Sequence, residues 1–212
     1  MNFDIIYDKI KKEVMDLFTD AKGSHDWEHT ERVIKLALRL SKKEKADSNV
    51  VRFAALLHDI GRKSPENNIS HADTGAVMAE EILLKYINDK ELIKNVINCI
   101  RKHSFRKGEI LNTIEEKIVY DADKLDAIGA IGIGRAFVFS GECGAKVHNN
   151  DINVLETQAY SREDTAYREY MVKLRYIKDK LYTDGAREIA EERHAFMEAF
   201  FDRLCKEAEG EL

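Results

Sequence analysis

The sequence predicts an all-α fold, a compact helical bundle with a C-terminal helical extension, and three observations predict it. Pro65 is the only proline in 212 residues, and proline is kept out of helix interiors because it lacks an N–H and its ring strikes the preceding turn. Apolar residues recur at three- and four-residue spacing through most of the chain. No pair of segments alternates apolar and polar residues as paired strands do.

Residues 3–18 place Ile6, Ile10, Val14 and Leu17 on one helical face, and residues 26–44 do the same with Val33, Ala37 and Leu40. Residues 49–60 are apolar on every side, as expected of a buried central helix, and Gly61 and Pro65 end it. Helices over 71–86 and 89–103 follow, the second with Asp89 as N-cap. A helix over 113–128 leads into GAIGIGRAFVFSGECG (129–144), whose glycines keep it outside the helix assignment. Residues 141–162 are polar and weakly periodic and read as a loop, long enough to act as a lid. The last segment, 163–208, spaces Tyr167, Met171, Leu174, Ile177 and Leu181, then Ile189, Phe196, Phe200 and Leu204, as two long helices broken near Thr183, Asp184 and Gly185. The length fits one domain over 1–212, with a core over about 1–140, the loop over 141–162 and C-terminal helices over 163–208.

Composition narrows the function. Hydrophobic residues at 44% exclude a disordered chain, and the 34% of charged residues suit helices with solvated outer faces. A net charge of -5 leaves no electrostatic footprint for duplex nucleic acid. Cys99, Cys143 and Cys205 are far apart and form no CxxC pair, so neither a disulfide framework nor a zinc-thiolate site is expected. The opening MNFDIIYDKIKKE does not read as a signal peptide, and no apolar run reaches membrane-spanning length. The expectation is a cytoplasmic protein with no membrane partner, open to homo-oligomerisation.

The chemistry concentrates around a few histidines and carboxylates. His58 and Asp59 interrupt the most apolar helix, and buried His and Asp are costly unless paired or bound to a metal. A core histidine bonded to its neighbours is the plainer alternative for that pair alone. His25 and His29 are four apart and share a helix face. Asp123 and Asp126 are three apart on a helix that also carries Asp121. Packed carboxylates repel unless protons or a cation intervene. A solvated acidic face is the alternative, and the apolar or small neighbours Ala122, Leu125, Ala127, Ile128 and Ala130 weigh against it.

The strings SHDWEHTERV (24–33), AALLHDIGRK (54–63), ISHADTGAVMAEEIL (69–83) and IVYDADKLDAIGAIGIGRAF (118–137) stand in the order H…HD…D. Together they resemble the HD-domain metal-dependent phosphohydrolase superfamily, and one bacterial branch of it in particular. KLRYIKDKLYTDGAREIAEERHAFMEAFF (173–201) resembles that branch too, so the likeness covers nearly the whole chain. It implies a bundle of HD-domain type in which His29, His58, Asp59 and Asp123 bind a divalent cation. Imidazole and carboxylate donors independently suit Mn, Fe, Co, Ni, Zn or Mg. Such an ion acidifies a water and polarises a phosphoryl oxygen.

The catalytic candidates are Asp59, His25 and Asp126. His25, with Asp26, orients the attacking water or a neighbouring ligand, and Asp126 orients the ligand beside it. His71 and His103 bind phosphate or act as acids; completing a second metal site, or lying at helix ends as surface histidines, are the alternatives. Arg62, Lys63 and Lys124 are candidates for neutralising phosphate charge. Arg135, in an apolar and glycine-rich context, calls for a partner, whether substrate or carboxylate. Trp27 is read as a packing residue, and His148 and His194 receive no role. The expected activity is hydrolysis of a small phosphorylated substrate, a nucleotide, with nucleoside triphosphates split to pyrophosphate or phosphate. Two rivals remain. HD-fold di-iron oxygenases, by the same resemblance, would use His29, His58, Asp59, His71, His103 and Asp123 as ligands. A non-catalytic nucleotide sensor would keep the fold without turnover.

Overall fold

Side-chain caps set most of the helix starts. A computed structural model describes residues 2–18, 26–63, 70–104 and 110–212, without the side chain of Lys63. Helix α1 (Phe3–Leu17) is capped by Asn2, α2 (Trp27–Glu44) by Asp26 and α3 (Ser48–Leu57) by Asp47, each accepting from backbone N–H groups of the first turn. After a 3-10 turn over Ile60–Lys63, α4 (His71–Leu84) starts on Ser70 and α5 (Lys90–Lys102) on Asp89, as the sequence predicts. Helix α6 runs over Ile114–Leu125. No strand occurs among the described residues.

The chain divides into two compact units, Met1–Asp123 and Lys124–Leu212, with the division inside the last turn of α6. In the first unit α2 packs on α3, α3 on α5, and α4 on both α5 and the 3-10 turn. Helix α3 is central: Val51, Phe53, Ala54, Ala55, Leu56 and Leu57 are fully buried. Each large apolar side chain so buried contributes about 1.5–3 kcal/mol. Helix α3 therefore ends deep in the unit, which places His58 and Asp59 in its interior.

The second unit holds α7 (Gly129–Glu142), α8 (Ala166–Val172) and α9 (Asp184–Ala208), with α7 packed on α8 and α9. Three expectations need correction. The glycine-rich stretch forms α7, because burial of Ile133 and Ala136 outweighs the low helix propensity of glycine. Gly132 is required there, since a Cβ would overlap the carbonyl of Ala127. The helix expected over 113–128 stops at Leu125, so Asp126 lies in a turn rather than on the helix of Asp123. The first of the two long C-terminal helices is only the seven-residue α8, followed by 3-10 turns over Leu174–Tyr176 and Lys178–Lys180. The break before α9 falls where expected, with Thr183 as its cap.

The loop after α7 contains one 3-10 turn, Val154–Glu156. Asn149, Thr157 and Asp164 of this segment are held by α8 and its cap. Arg168 donates to Asp164 Oδ1 at 2.8 Å, to Thr157 Oγ1 at 2.7 Å and to the Thr157 carbonyl at 2.9 Å. Thr165 donates to buried Asn149 at 2.6 Å. Such anchoring argues against a freely mobile lid. No helix among the described residues is long and apolar enough to cross a membrane.

Candidate metal centre

Five helices and the turn after α3 bring their histidines and carboxylates to one place in the first unit. Asp26 caps α2 and accepts from the backbone N–H of His29 at 2.8 Å, which fixes the first turn carrying that imidazole. His58 follows α3 directly as its C-cap, and its Nδ1 lies 2.8 Å from the carbonyl of Ala55. His103 closes α5 in the same way, with Nδ1 2.6 Å from the carbonyl of Ile100. A ring nitrogen beside a carbonyl must carry the proton, so Nε2 of His58 and of His103, when neutral, is a lone-pair donor. His71 opens α4 and Asp123 lies in the last turns of α6.

Asp59 is the shared member. Its Oδ2 lies 3.6 Å from His58 Nε2 and 3.7 Å from His29 Nε2. Its Oδ1 lies 3.3 Å from His103 Nε2 and 3.8 Å from His71 Nε2. His29 Nε2 is also 3.3 Å from His58 Nε2 and 3.4 Å from Asp123 Oδ1. Two groups thus have donor atoms within 4.8 Å of one another: His29, His58 and Asp59, and Asp59, His71 and His103. Asp123 adjoins the first group through His29.

The surroundings set the protonation. His29, His58 and His103 are fully buried and Asp59 nearly so. Burial is the largest influence on His58 and lowers its pKa to about 4 against the pull of Asp59, so the ring is neutral near pH 7. A neutral imidazole is the form that binds metals. His103 Nε2 is buried, makes no hydrogen bond among the described residues and faces Asp59 Oδ1. Converging imidazole nitrogens and carboxylate oxygens in buried space fit a divalent first-row cation, and fit one better than they fit each other.

The other candidates fall as follows. Arg62 Nε donates to Asp59 Oδ2 at 2.7 Å, a contact signalled in the sequence only by the three-residue spacing of the pair. Lys63 closes the 3-10 turn. His25 lies outside the described residues. Lys124 follows Asp123 in α6. In the second unit Arg135 takes a carboxylate partner, donating to Asp126 Oδ2 at 2.8 Å and to its carbonyl at 3.2 Å. Trp27 packs edge-to-face on Phe18 with a 5.8 Å centroid separation. The sequence reading did not foresee that one carboxylate serves both histidine pairs.

Residues 26–128 match the family model of the HD domain. Over 210 residues the chain is 40% identical to YpgQ of Bacillus subtilis, covering 96% of this chain and 94% of that protein. The chain belongs to the HD-domain phosphohydrolase superfamily. Two solved structures resemble it over nearly their full length. That of Bacillus subtilis YpgQ in complex with ADP is 35% identical with a TM-score of 0.78, covering 98% of this chain and 97% of that one. An HD-superfamily hydrolase from Bacillus thuringiensis is 29% identical with a TM-score of 0.80, covering 98% and 99%. Both donor groups contain Asp59, which follows His58 at the end of α3.

Proposed function

We propose that this HD-domain protein is a metal-dependent phosphohydrolase acting on nucleotides, with nucleoside triphosphates as its best substrates. The observation that carries the proposal is the convergence of His29, His58 and Asp59, with Asp123 against His29, in a buried part of the first unit. His29, His58, Asp59 and Asp123 would hold a divalent cation: Mn, Fe, Co, Ni, Zn or Mg. When bound, such an ion polarises a phosphoryl oxygen and makes a water acidic enough to attack near neutral pH.

The chain's own residues bind, orient and exclude water. Buried His58 keeps its proton on Nδ1, against the carbonyl of Ala55, and so presents a lone pair at Nε2. Asp59, 1% exposed in its side chain, is itself shielded from bulk water, which strengthens its electrostatic interactions. His71, about a fifth exposed at the start of α4, holds a phosphoryl oxygen or gives a proton to the leaving oxygen. His103, whose Nε2 lies 3.3 Å from Asp59 Oδ1 without a hydrogen bond among the described residues, is assigned the same phosphate-binding or acid role. Arg62 offsets phosphate charge, and Lys63 and Lys124 are assigned the same task. His25 and Asp126 are assigned orienting roles, and Arg135 a substrate-binding role.

The nucleotide assignment draws support from the ADP complex of the similar YpgQ. The test is a metal-reconstituted activity screen of nucleoside triphosphates, deoxynucleoside triphosphates and simple phosphomonoesters. Pyrophosphate and a monophosphate among the products mark attack at the α-phosphorus; phosphate and a diphosphate mark attack at the γ-phosphorus. Turnover of simple monoesters with no turnover of any triphosphate overturns the nucleotide assignment and leaves the metal hydrolase standing.

One observation favours a second reading. Asp59, His71 and His103 form a further donor group beside the first, and the six residues together match the ligand set of di-iron HD-fold oxygenases. Iron retained through purification, with oxygen consumed in the presence of an oxidisable substrate, would decide for it.

A further inference from the structure

We infer that Arg62 is an internal cation that couples metal binding to phosphate binding: it holds the Asp59 carboxylate until a divalent ion takes that oxygen, and its guanidinium then serves substrate phosphate. The inference rests on the metal-hydrolase reading above. Arg62 is tied to Asp59 twice. Its backbone N–H donates to the Asp59 carbonyl at 3.1 Å, the three-residue bond of a 3-10 turn, and its Nε donates to Asp59 Oδ2 at 2.7 Å. Oδ2 is the oxygen that faces His29 and His58. The guanidinium therefore engages the carboxylate oxygen that the first donor group would offer to a cation.

The turn is a fixed mount. A Cβ on Gly61 would overlap the His71 carbonyl and the Gly75 nitrogen and lie 2.8 Å from Gly75 Cα, so the turn sits tightly on α4. The side chain beyond that mount reaches from buried to open space: Asp59 is 1% exposed and Arg62 is 34% exposed. Nε supplies the bond to Asp59, and the guanidinium retains the donor fork of its two terminal nitrogens, which matches a phosphate edge. Two cations cannot share Oδ2 at low cost, because like charges a few ångströms apart in a partly buried site repel strongly. Metal binding thus displaces the guanidinium toward the exposed side, where a phosphate would lie. By linkage, phosphate that captures Arg62 must in turn tighten metal binding.

The test titrates Mn2+ into the 212-residue chain with and without inorganic phosphate, following free Mn2+ by electron paramagnetic resonance. Wild type, Arg62→Gln, Arg62→Lys and His58→Ala are compared, each checked for folding by circular dichroism. Without phosphate, Arg62→Gln should bind Mn2+ about tenfold more tightly than wild type, because the competing cation is gone. Phosphate should tighten Mn2+ binding in wild type, less in Arg62→Lys and least in Arg62→Gln. Weaker Mn2+ binding by Arg62→Gln, or equal phosphate coupling in all three, overturns the inference. His58→Ala separates the two levels of the argument: Mn2+ binding undiminished in that variant overturns the metal reading itself. Loss of Mn2+ in His58→Ala, with Arg62→Gln indistinguishable from wild type, overturns only the role of Arg62.

Discussion

Asp123 Oδ1 lies 3.4 Å from His29 Nε2, joining the last turns of α6 to the first turn of α2. Asp126, by contrast, lies past the end of α6 and is bound by Arg135. Asp123→Asn should therefore weaken Mn2+ binding more than Asp126→Asn does, the loss at Asp126 being the about 10- to 100-fold of an orienting group. Metal titrations ranking the two variants in the opposite order would show that the wrong carboxylate has been chosen.

The Gly61 contact predicts a loss of stability and of metal together. Gly61→Ala forces the turn away from α4 and should cost about 1–3 kcal/mol by overpacking. Since that turn carries Arg62 and adjoins Asp59, Mn2+ affinity should change as well. Urea denaturation and Mn2+ titration of the variant check both effects, and a variant with wild-type midpoint and affinity contradicts the account.

Away from the site, Glu116 is almost wholly buried and its two oxygens each lie 2.9 Å from Lys102 Nζ, with a further bond from the Asn112 N–H at 2.7 Å. Lys102→Met leaves a buried carboxylate whose remaining support among the described residues is the Asn112 backbone N–H. The expected destabilisation is about 2–4 kcal/mol, discounted because Lys102 is partly exposed. Chemical denaturation measures it; a change below the error of the midpoint would contradict the burial argument.

Burial pushes the Cys99 thiol well above the ordinary range, with the nearby carboxylates of Glu116 and Glu115 adding to the shift. The thiolate is the reactive form, so a raised pKa keeps Cys99 protonated through neutral and mildly alkaline pH. Iodoacetamide at pH 8 should label Cys143 and Cys205, both partly exposed, and leave Cys99 intact until the chain is unfolded. Peptide mass spectrometry reads the three sites separately.

The parts of this molecule that depend on local signals were legible in the sequence. Asp89 caps α5 and Thr183 opens α9 where their side-chain chemistry predicts. His58 and Asp59 stood out because two polar residues ended an apolar run that the fold buries. What tertiary packing decides was hidden. The glycines of α7 argued against a helix that packing on α8 and α9 supports. Asp126 looked like a partner of Asp123 by spacing, but α6 ends one residue before it. The sharing of Asp59 between two histidine pairs depends on α4 and α5 meeting the end of α3, which no periodicity encodes.

The most direct test of the central claim is elemental analysis of metal in purified wild type, His58→Ala and Asp59→Ala, each confirmed to be folded. His58 and Asp59 lie in the buried donor group with His29, and Asp59 belongs to both groups. The account predicts a bound divalent first-row metal in wild type and its loss from both variants. Equal metal content in all three proteins would contradict it.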